Sequence, residues 1–383
     1  MQDFDIVKRS QPGESFRVKS VMGTYDIQTN VAEEHFRGSL DLDFDWNIGL
    51  IVGRSGSGKT TIARELFGDN IISGYEYTHE SILDDMPKGA SVEEISMVLT
   101  SVGFASPPSW LKSYSVLSNG EKMRCDLARA ILEKRDLFAF DEFTSVVDRN
   151  VAKIASLAMQ KAIRRGGQKF IAISCHYDIQ EWLMPDWVFN TDTMTFSRLD
   201  LDEQKKNRPP IELTIVETKH KEFYWNVFRK YHYLSHAFNR VARVFLTFAN
   251  GELCGFAALL PFPHPTRKHV WKFHRRVVLP DYQGVGIARA MSAFIADIFK
   301  RDGTDIISTT SNRAMIASMA HDKRWICTHI GRVSAGCTTG VMQNKAIKGS
   351  TSVARITASF EYIGENDKSI SRGKITRHTQ RKR

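Results

Sequence analysis

The chain has 383 residues, of which 42% are apolar and 25% charged, the proportions of an ordinary soluble globular protein with room for two or three domains. No uninterrupted apolar run approaches the roughly 20 residues that span a bilayer, so no membrane partner is expected. The net charge of +10 is unevenly spread: residues 1–211 carry 25 Lys+Arg against 31 Asp+Glu, and residues 212–383 carry 28 against 12. A split of −6 against +16 suggests two units with different partners, the second facing a polyanion or a phosphorylated ligand.

The amino-terminal stretch MQDFDIVKRSQPGE is acidic and polar early on and does not read as a secretion signal. Cys125, Cys175, Cys254, Cys327 and Cys337 are odd in number and show no CxxC spacing. That points to free thiols in a reducing cytoplasm, the expected location. Strand-like runs NIGLIV, DLFAF and KFIAIS alternate with helical stretches, the pattern of an α/β domain. After NIGLIV comes GRSGSGKT, Gly53 to Thr60, which fits G-x-x-x-x-G-K-[ST] and leads into the helical TIARELFG. In such a loop Gly53, Ser55, Gly56 and Gly58 let backbone N–H groups turn inward around phosphates. Lys59 reaches the β- and γ-phosphates, and Thr60, followed by Thr61, offers its hydroxyl to Mg²⁺. ATP and Mg²⁺ are the cofactors this motif calls for.

Downstream, LSNGEKMRCDLARAILEKRDLFAFDEF, residues 117–143, sets a polar turn, a basic helix and an apolar strand in a row. The strand ends in Asp141 and Glu142. A P-loop enzyme needs an acid at the end of a neighbouring buried strand, so Asp141 is assigned to Mg²⁺ and Glu142 to polarising the attacking water. A buried pair of carboxylates with no cation would desolvate badly. An N-cap at the strand-to-helix turn is the alternative for Glu142.

Together these motifs resemble the ABC-type ATPases, over about residues 15–195. LSNGEKMR is similar to the LSGGQ signature, with Asn119 replacing one Gly and Glu121 replacing Gln. Ser118, Gly120 and the following helix N-terminus would grip a γ-phosphate. SVVD, Ser145 to Asp148, looks like the D-loop. SCH, Ser174 to His176, looks like the switch histidine, which implies a γ-phosphate contact for His176. The signature of one subunit completes the ATP site of another in that family. The resemblance therefore implies an ATP-dependent head-to-tail homodimer, with Ser118 and Gly120 acting in trans. Two departures stand out. No glutamine lies between Thr61 and Ser118, which leaves His79 or Glu80 for the Q-loop role. The helical insert is short and no membrane domain accompanies it, which argues against transport. Tyr25 is the ring expected to stack on adenine, with Phe16 as the alternative.

Charged residues and a Pro-Pro pair in LDLDEQKKNRPPIEL, residues 199–213, read as a linker. Beyond it, ARVFLTFANGELCGFAALLPF is two β-rich runs around Asn250-Gly251, the strongest short hairpin signal. RKYHYLSHAFNR, residues 229–240, is rich in Tyr and His beside Arg. Such rings suit stacking on an extruded or single-stranded base; a helix with Phe228, Tyr231 and Leu234 in the core is the alternative. The run FHRRVVLPDYQGVGIARAMSAFIADIF ends a strand at Leu279-Pro280 and begins a helix near Val285, with Ile287, Met291, Phe294, Ile295 and Ile298 at helical spacing. Gly284 and Gly286 sit at the helix start, where free N–H groups favour a pyrophosphate.

QGVGIA resembles the Q/R-x-x-G-x-G/A motif of GNAT acetyltransferases, a likeness running over about residues 213–363. It implies that Val277, Val278 and Leu279 offer backbone groups to pantetheine. Gln283, Gly284, Val285, Gly286, Ile287 and Ala288 would hold the pyrophosphate of acetyl-CoA or another acyl-CoA. The family's base lies on the strand before the loop, where this chain has His274, an imidazole suited to proton transfer near neutrality. A basic substrate-facing edge in KFHRR is the alternative. The usual tyrosine acid is absent from SNRAMIASM. The 229–240 run also looks like the HYS element of Mom-type GNAT proteins, which alter adenine in phage DNA.

The expected fold class is α/β: a P-loop ABC-type ATPase domain over residues 1–198, a linker over 199–211, and an α+β GNAT-fold domain with a mixed, mainly antiparallel sheet over 212–365. Residues 366–383, with seven Lys or Arg and no acid from 368 onward, are expected to be a disordered basic tail. The expected function is ATP hydrolysis joined to acyl-CoA-dependent N-acylation of a nucleic acid, DNA or RNA. A non-catalytic DNA-binding ATPase, or acylation of a protein or small amine, are the alternatives.

Overall fold

The structure, a computed structural model, describes residues 2–10, 12–27, 32–232, 236–332 and 356–364; the basic tail lies outside them. Two compact units form, and neither is contiguous in sequence. One comprises residues 1–75, 133–148 and 163–207, the other residues 76–132, 149–162 and 208–383. Residues 76–132 and 149–162, read from the sequence as part of the nucleotide-binding domain, thus cluster with the carboxy-terminal sheet.

In the first unit, β1 (Gln2–Ser10) and β2 (Ala32–Leu40) form an antiparallel ribbon. A six-stranded sheet follows, from β3 (Ile48–Val52), β4 (Ile71–Ile72), β5 (Leu137–Phe140), β6 (Lys169–Ser174), β7 (Trp187–Asn190) and β8 (Thr195–Arg198). Its order is β4-β5-β6-β3-β7-β8, parallel except for the last pair. β3 reads IGLIV and is buried at every position, the continuous apolar run expected of a central parallel strand. Ile51, Ile62, Ile171, Ile173, Trp187 and Phe189 fill the core beneath it. The expected linker is not irregular throughout. Leu201–Asn207 is a helix, started by Asp200, whose Oδ1 accepts from the Glu203 N–H at 2.8 Å.

In the second unit, β9 (Leu213–Thr218), β10 (Arg243–Ala249), β11 (Glu252–Pro261), β12 (Val270–Val278), β13 (Asp305–Thr310), β14 (Trp325–Arg332) and β15 (Ile356–Tyr362) form one sheet. Its order is β14-β15-β13-β12-β11-β10-β9. All neighbours are antiparallel except β12 and β13. The β10–β11 hairpin turns at Asn250 and Gly251, with φ of 49° and 88°, the two left-handed positions that an Asn-Gly turn supplies. Helix Ile287–Arg301 covers one face through Ile287, Met291, Ile295 and Phe299. Helix Lys221–Phe228 covers the other through Trp225 and Phe228. Phe228 is fully buried, with its ring 5.5 Å from that of Phe256. Truncation leaves a cavity that two packed layers cannot collapse to fill. Phe228→Ala should therefore lower unfolding free energy by about 3–5 kcal/mol, read as a reduced urea midpoint with unchanged slope.

Candidate functional site

In the first unit, the loop after β3 turns through Gly56 and Gly58, with φ of 83° and 82°, a region that side chains disfavour. Space also selects glycine. A Cβ on Gly53 would lie 2.1 Å from Thr191 Oγ1, and one on Gly58 would lie 2.5 Å from the Phe36 ring. Lys59 is 8% exposed; its Nζ donates to the carbonyl oxygens of Gly53 at 2.9 Å and Arg54 at 2.7 Å. Thr60 Oγ1 donates to Asp141 Oδ1 at 3.1 Å, so the two residues assigned to Mg²⁺ meet across 81 positions of sequence. An adjacent hydroxyl and carboxylate form an oxygen donor set suited to a hard cation.

β5, β6 and β3 are adjacent and parallel. The phosphate loop with Ser55 and Thr61, the Asp141-Glu142 pair and His176 therefore leave the sheet at one edge. The acid pair is not buried as expected. Asp141 is half-buried, but Glu142 is exposed, has φ of 55° and accepts from the Ser145 hydroxyl. The left-handed turn carries Glu142 out of the sheet into water, so its charge needs no compensating cation. His176 is half-buried, and its N–H donates to Ser174 Oγ at 3.2 Å. Phe16 and Tyr25, at the two ends of helix Phe16–Thr24, are both exposed.

In the second unit, Ser118 caps helix Asn119–Leu132. The Ser118 N–H and hydroxyl donate to Glu121 Oε2 at 3.0 and 3.1 Å, and the Glu121 N–H donates back to Ser118 Oγ at 3.3 Å. This reciprocal pair was written in the sequence as S-x-x-E; Glu121, standing for Gln, is what completes it. Gly120 is buried, and a Cβ there would lie 3.2 Å from Asp281 Oδ1. His79 is held by Asp85, through Nδ1 at 2.6 Å and the backbone N–H at 3.2 Å, while Glu80 is exposed.

β12 and β13 pair only over Val270–Lys272 and Asp305–Ile307, then part. His274 is an extra residue on β12, because Ala258 and Leu259 of β11 face Arg275 and Phe273; the bulge frees its backbone from the ladder. Val277 and Val278 are buried and pair with β11. The Leu279 N–H donates to Cys254 O at 2.8 Å, so that donor is already used. Gly284 and Gly286 have φ of 83° and 100°. Helix Ile287–Arg301, with Ile287 buried and Ala288 half-buried, starts on Gly286 with no side-chain cap. Its first N–H groups are therefore arranged as an anion site requires.

This loop is braced by Gly103, Ala105, Arg124 and Lys161 of the same unit. Gln283 Nε2 donates to Val278 O at 2.8 Å, and its Oε1 accepts from the Ala105 N–H at 2.7 Å. A Cβ on Gly284 would lie 2.8 Å from Gly103 Cα, and Lys161 Nζ stands 3.5 Å from Val285 O. Arg124, with 1% of its side chain exposed, donates to Asp281 Oδ1 and Asp281 O, both at 3.3 Å. No local pattern announces any of these contacts.

His274 is half-buried. Burial, reinforced by the Arg275 guanidinium, pushes its pKa down to about 4. It lines a cavity of about 390 Å³ with Lys272, Thr309, Thr310, Ser311 and Phe262. Several described rings of the Tyr/His run are packed rather than displayed, while His236 is exposed. Phe228 ends its helix in the core, Tyr231 packs against the same cluster, and His232 is 6% exposed with its ring 5.6 Å from Trp225. Phe238 stacks on Trp225 at 5.7 Å. Large apolar faces next to one buried Trp gain more from burial than from display. Tyr233, Leu234 and Ser235 lie outside the described residues.

Residues 177–320 match the acetyltransferase (GNAT) family. Among curated proteins, the oligomycin resistance ATP-dependent permease of Saccharomyces cerevisiae is 26% identical over 165 residues, 36% of this chain and 11% of the permease. The NU+ prion formation protein 1 of the same yeast is 31% identical over 119 residues, 26% of this chain and 10% of the relative. The chain thus spans about a tenth of the length of these relatives. Among solved structures, a dimeric post-hydrolysis state of an ATP-binding cassette bound to ADP and Pi shares 14% identity at a TM-score of 0.36, covering 52% of this chain and 98% of that one. A bacterial Atm1-family ABC exporter with ATP bound shares 16% at 0.33, covering 52% and 40%. Among the described residues no helix is long and apolar enough to cross a membrane.

Arg124 cannot be re-solvated without opening the contact between helix Asn119–Leu132 and the loop. Asp281→Asn should cost about 1–3 kcal/mol, the penalty for weakening the partner of a buried charged donor, measured by urea unfolding. Arg124→Met, which removes the buried charge as well, should cost less than Asp281→Asn.

Proposed function

In a chain that joins an ABC-type ATPase fold to a GNAT-type acetyltransferase fold, we propose that ATP hydrolysis is coupled to acyl transfer onto an amine of a nucleic-acid base. The observation that carries the acyl-transfer reading is the parting of β12 from β13 beside a glycine bend that opens a helix. This arrangement leaves one strand edge and one set of helix N–H groups for a single extended ligand. Val277 and Val278 would line that ligand along β12, and Gln283 to Ala288 would hold its phosphates; acyl-CoA supplies the activated thioester carbonyl. In the ATPase fold, Lys59 and the Gly53–Gly58 amides would hold the triphosphate, Thr60 and Asp141 the Mg²⁺. Glu142 would orient water and His176 would contact the γ-phosphate. Ser118 and Gly120 are assigned to the partner of a head-to-tail homodimer. The contact of Gly103, Ala105 and Arg124 with the Asp281–Gly284 loop supports coupling, because movement of the signature helix must be felt at the acyl-donor loop.

His274 favours an aromatic amine. With its pKa down at about 4, it is neutral at physiological pH but a weak base. An alkyl amine is protonated near neutrality and needs deprotonation before attack; an exocyclic amine of a base carries no such proton and needs relief only as the new bond forms. The excess of 28 Lys+Arg over 12 Asp+Glu after residue 211 suits a polyanionic substrate. A second reading, a DNA-binding ATPase whose GNAT fold only recognises its ligand, draws support from the same weak base and from the missing tyrosine acid.

Purified protein incubated with ATP, acetyl-CoA and DNA or RNA, then digested and analysed by nucleoside mass spectrometry, should yield an acylated nucleoside. Its absence under every condition, with ATPase activity intact, selects the second reading. Because the lowered pKa keeps His274 neutral above its value, kcat/KM for acyl transfer should show no limb from this group between about pH 5 and 8, and should fall only as pH approaches about 4. Glu142→Gln should slow ATP hydrolysis by about 100-fold or more, the loss expected when a water-orienting base is removed, and the variant should co-purify with ATP.

A further inference from the structure

The cavity beside His274 has a charge pattern that acyl transfer alone does not require. Lys272 is the last residue of β12 paired to β13, opposite Ile307, so it stands where the strands part. Its Nζ lies 5.0 Å over the Phe262 ring, and burial pushes its pKa down. Several cations on this sheet and its helices are paired with carboxylates, Lys300 with Asp305 at 2.8 Å, Arg289 with Asp322 at 2.9 Å and Arg324 with Asp322 at 2.7 Å, and Arg276, next but three along β12, is met by the Ser308 hydroxyl at 2.7 Å. Lys272 has no such carboxylate among the described residues, and no acidic residue lines the cavity. Thr310 Oγ1 accepts from the Asn312 N–H at 3.1 Å, which leaves its own hydroxyl proton to donate. A half-buried ammonium without a counter-ion is costly, and an anion that enters the cavity relieves that cost.

We infer that this cavity is a subsite for an oxyanion, a phosphate or a carboxylate, carried by the acceptor close to the amine that is acylated and held by Lys272 and Thr310. The assignment rests on the acyl-transfer reading. In a nucleic acid the oxyanion is a backbone phosphate beside the modified base; in a small acceptor it is a phosphate or carboxylate on the same molecule. Polyamines are excluded, since they would bring positive charge to an unpaired ammonium.

The test reads Lys272 itself, so nucleotide held at Gly53–Thr60 does not confuse it. The full chain is labelled briefly with acetic anhydride, with inorganic phosphate, acetate, adenosine, adenosine 5′-monophosphate or putrescine present. Labelling of Lys272 is quantified by mass spectrometry relative to exposed Lys219 in the same sample, which cancels consumption of the reagent by the additive. Phosphate and adenosine 5′-monophosphate, or acetate, should protect Lys272, and which set does so identifies the source of the charge. Adenosine and putrescine should not. Protection by none of the five, or equal protection by putrescine, overturns the assignment. In a Lys59→Ala background, Lys272→Met should weaken calorimetric binding of the protecting anion by about tenfold or more, the equivalent of one charge-assisted hydrogen bond, while Lys272→Arg retains it. Unchanged affinity in Lys272→Met also overturns the assignment. Failure here leaves acetyl-CoA binding and nucleoside acylation standing; failure of those leaves the labelling result standing.

Discussion

The second unit depends on one buried charge. Arg124 leaves water almost completely, and taking a guanidinium out of water is tolerable only beside a partner that stays put. Asp281 supplies that partner with both its carboxylate and its main-chain oxygen. Its side chain is 46% exposed, so solvent softens the attraction while doing little for Arg124. The pair therefore contributes more to specificity than to stability. It fixes which turn of the carboxy-terminal fold meets which turn of helix Asn119–Leu132, and the fit of Gly103 on Gly284 follows from that register. Glycine is needed on both sides, since each has a left-handed φ, of 88° and 83°; a Cβ on Gly284 would lie 2.8 Å from Gly103 Cα, and one on Gly103 would lie 2.9 Å from Gln283 O.

Two helices in this chain begin in the same way. Lys59–Phe67 and Ile287–Arg301 each start on a left-handed glycine, Gly58 and Gly286, with no side chain satisfying the first N–H groups. Ser91 on Glu94, Ser118 on Glu121 and Asn312 on Met315 cap other helices, while Lys221–Phe228 is also uncapped but starts on His220 at a negative φ rather than on a left-handed glycine. The contrast has a physical meaning. A capped helix has satisfied its free donors locally, whereas an uncapped one keeps them for an external acceptor.

Local physics was legible in the sequence. The phosphate loop, the Asn250-Gly251 hairpin and the amphipathic helix after the second glycine bend are each specified within about a dozen residues by spacing alone. Linked sites were partly legible: Thr60 and Asp141 could be paired because both motifs are local. Burial of Glu142 could not be judged, because it depends on a single positive φ just past the strand. The Tyr/His run could not be decided from sequence for a related reason. Its rings suit stacking on a ligand and stacking on Trp225 equally well in composition, and only the tertiary position of Trp225 decides. The bulge at His274 and the Arg124–Asp281 contact depend on partners 16 and 157 residues away, where no sequence period reaches.

β12 shows how such distant contacts hold an open cleft. A strand edge without a partner is a liability, because its N–H and C=O groups lose water without gaining a ladder. Past Lys272 this edge is not closed by β13. Side chains bridge part of the gap instead: Arg276 Nη2 donates to the Ser308 hydroxyl on β13 at 2.7 Å, and Gln283 Nε2 donates to one main-chain group, Val278 O, at 2.8 Å. A ladder forms and breaks cooperatively, but side-chain donors can be exchanged singly for groups of a ligand. The strand thus stays ordered by its pairing with β11 on either side of the bulge at His274, while the other side is open past Lys272. Gln283 also accepts from the Ala105 N–H at 2.7 Å, so one amide joins the end of this strand to the segment between helices Val92–Ser101 and Pro107–Trp110.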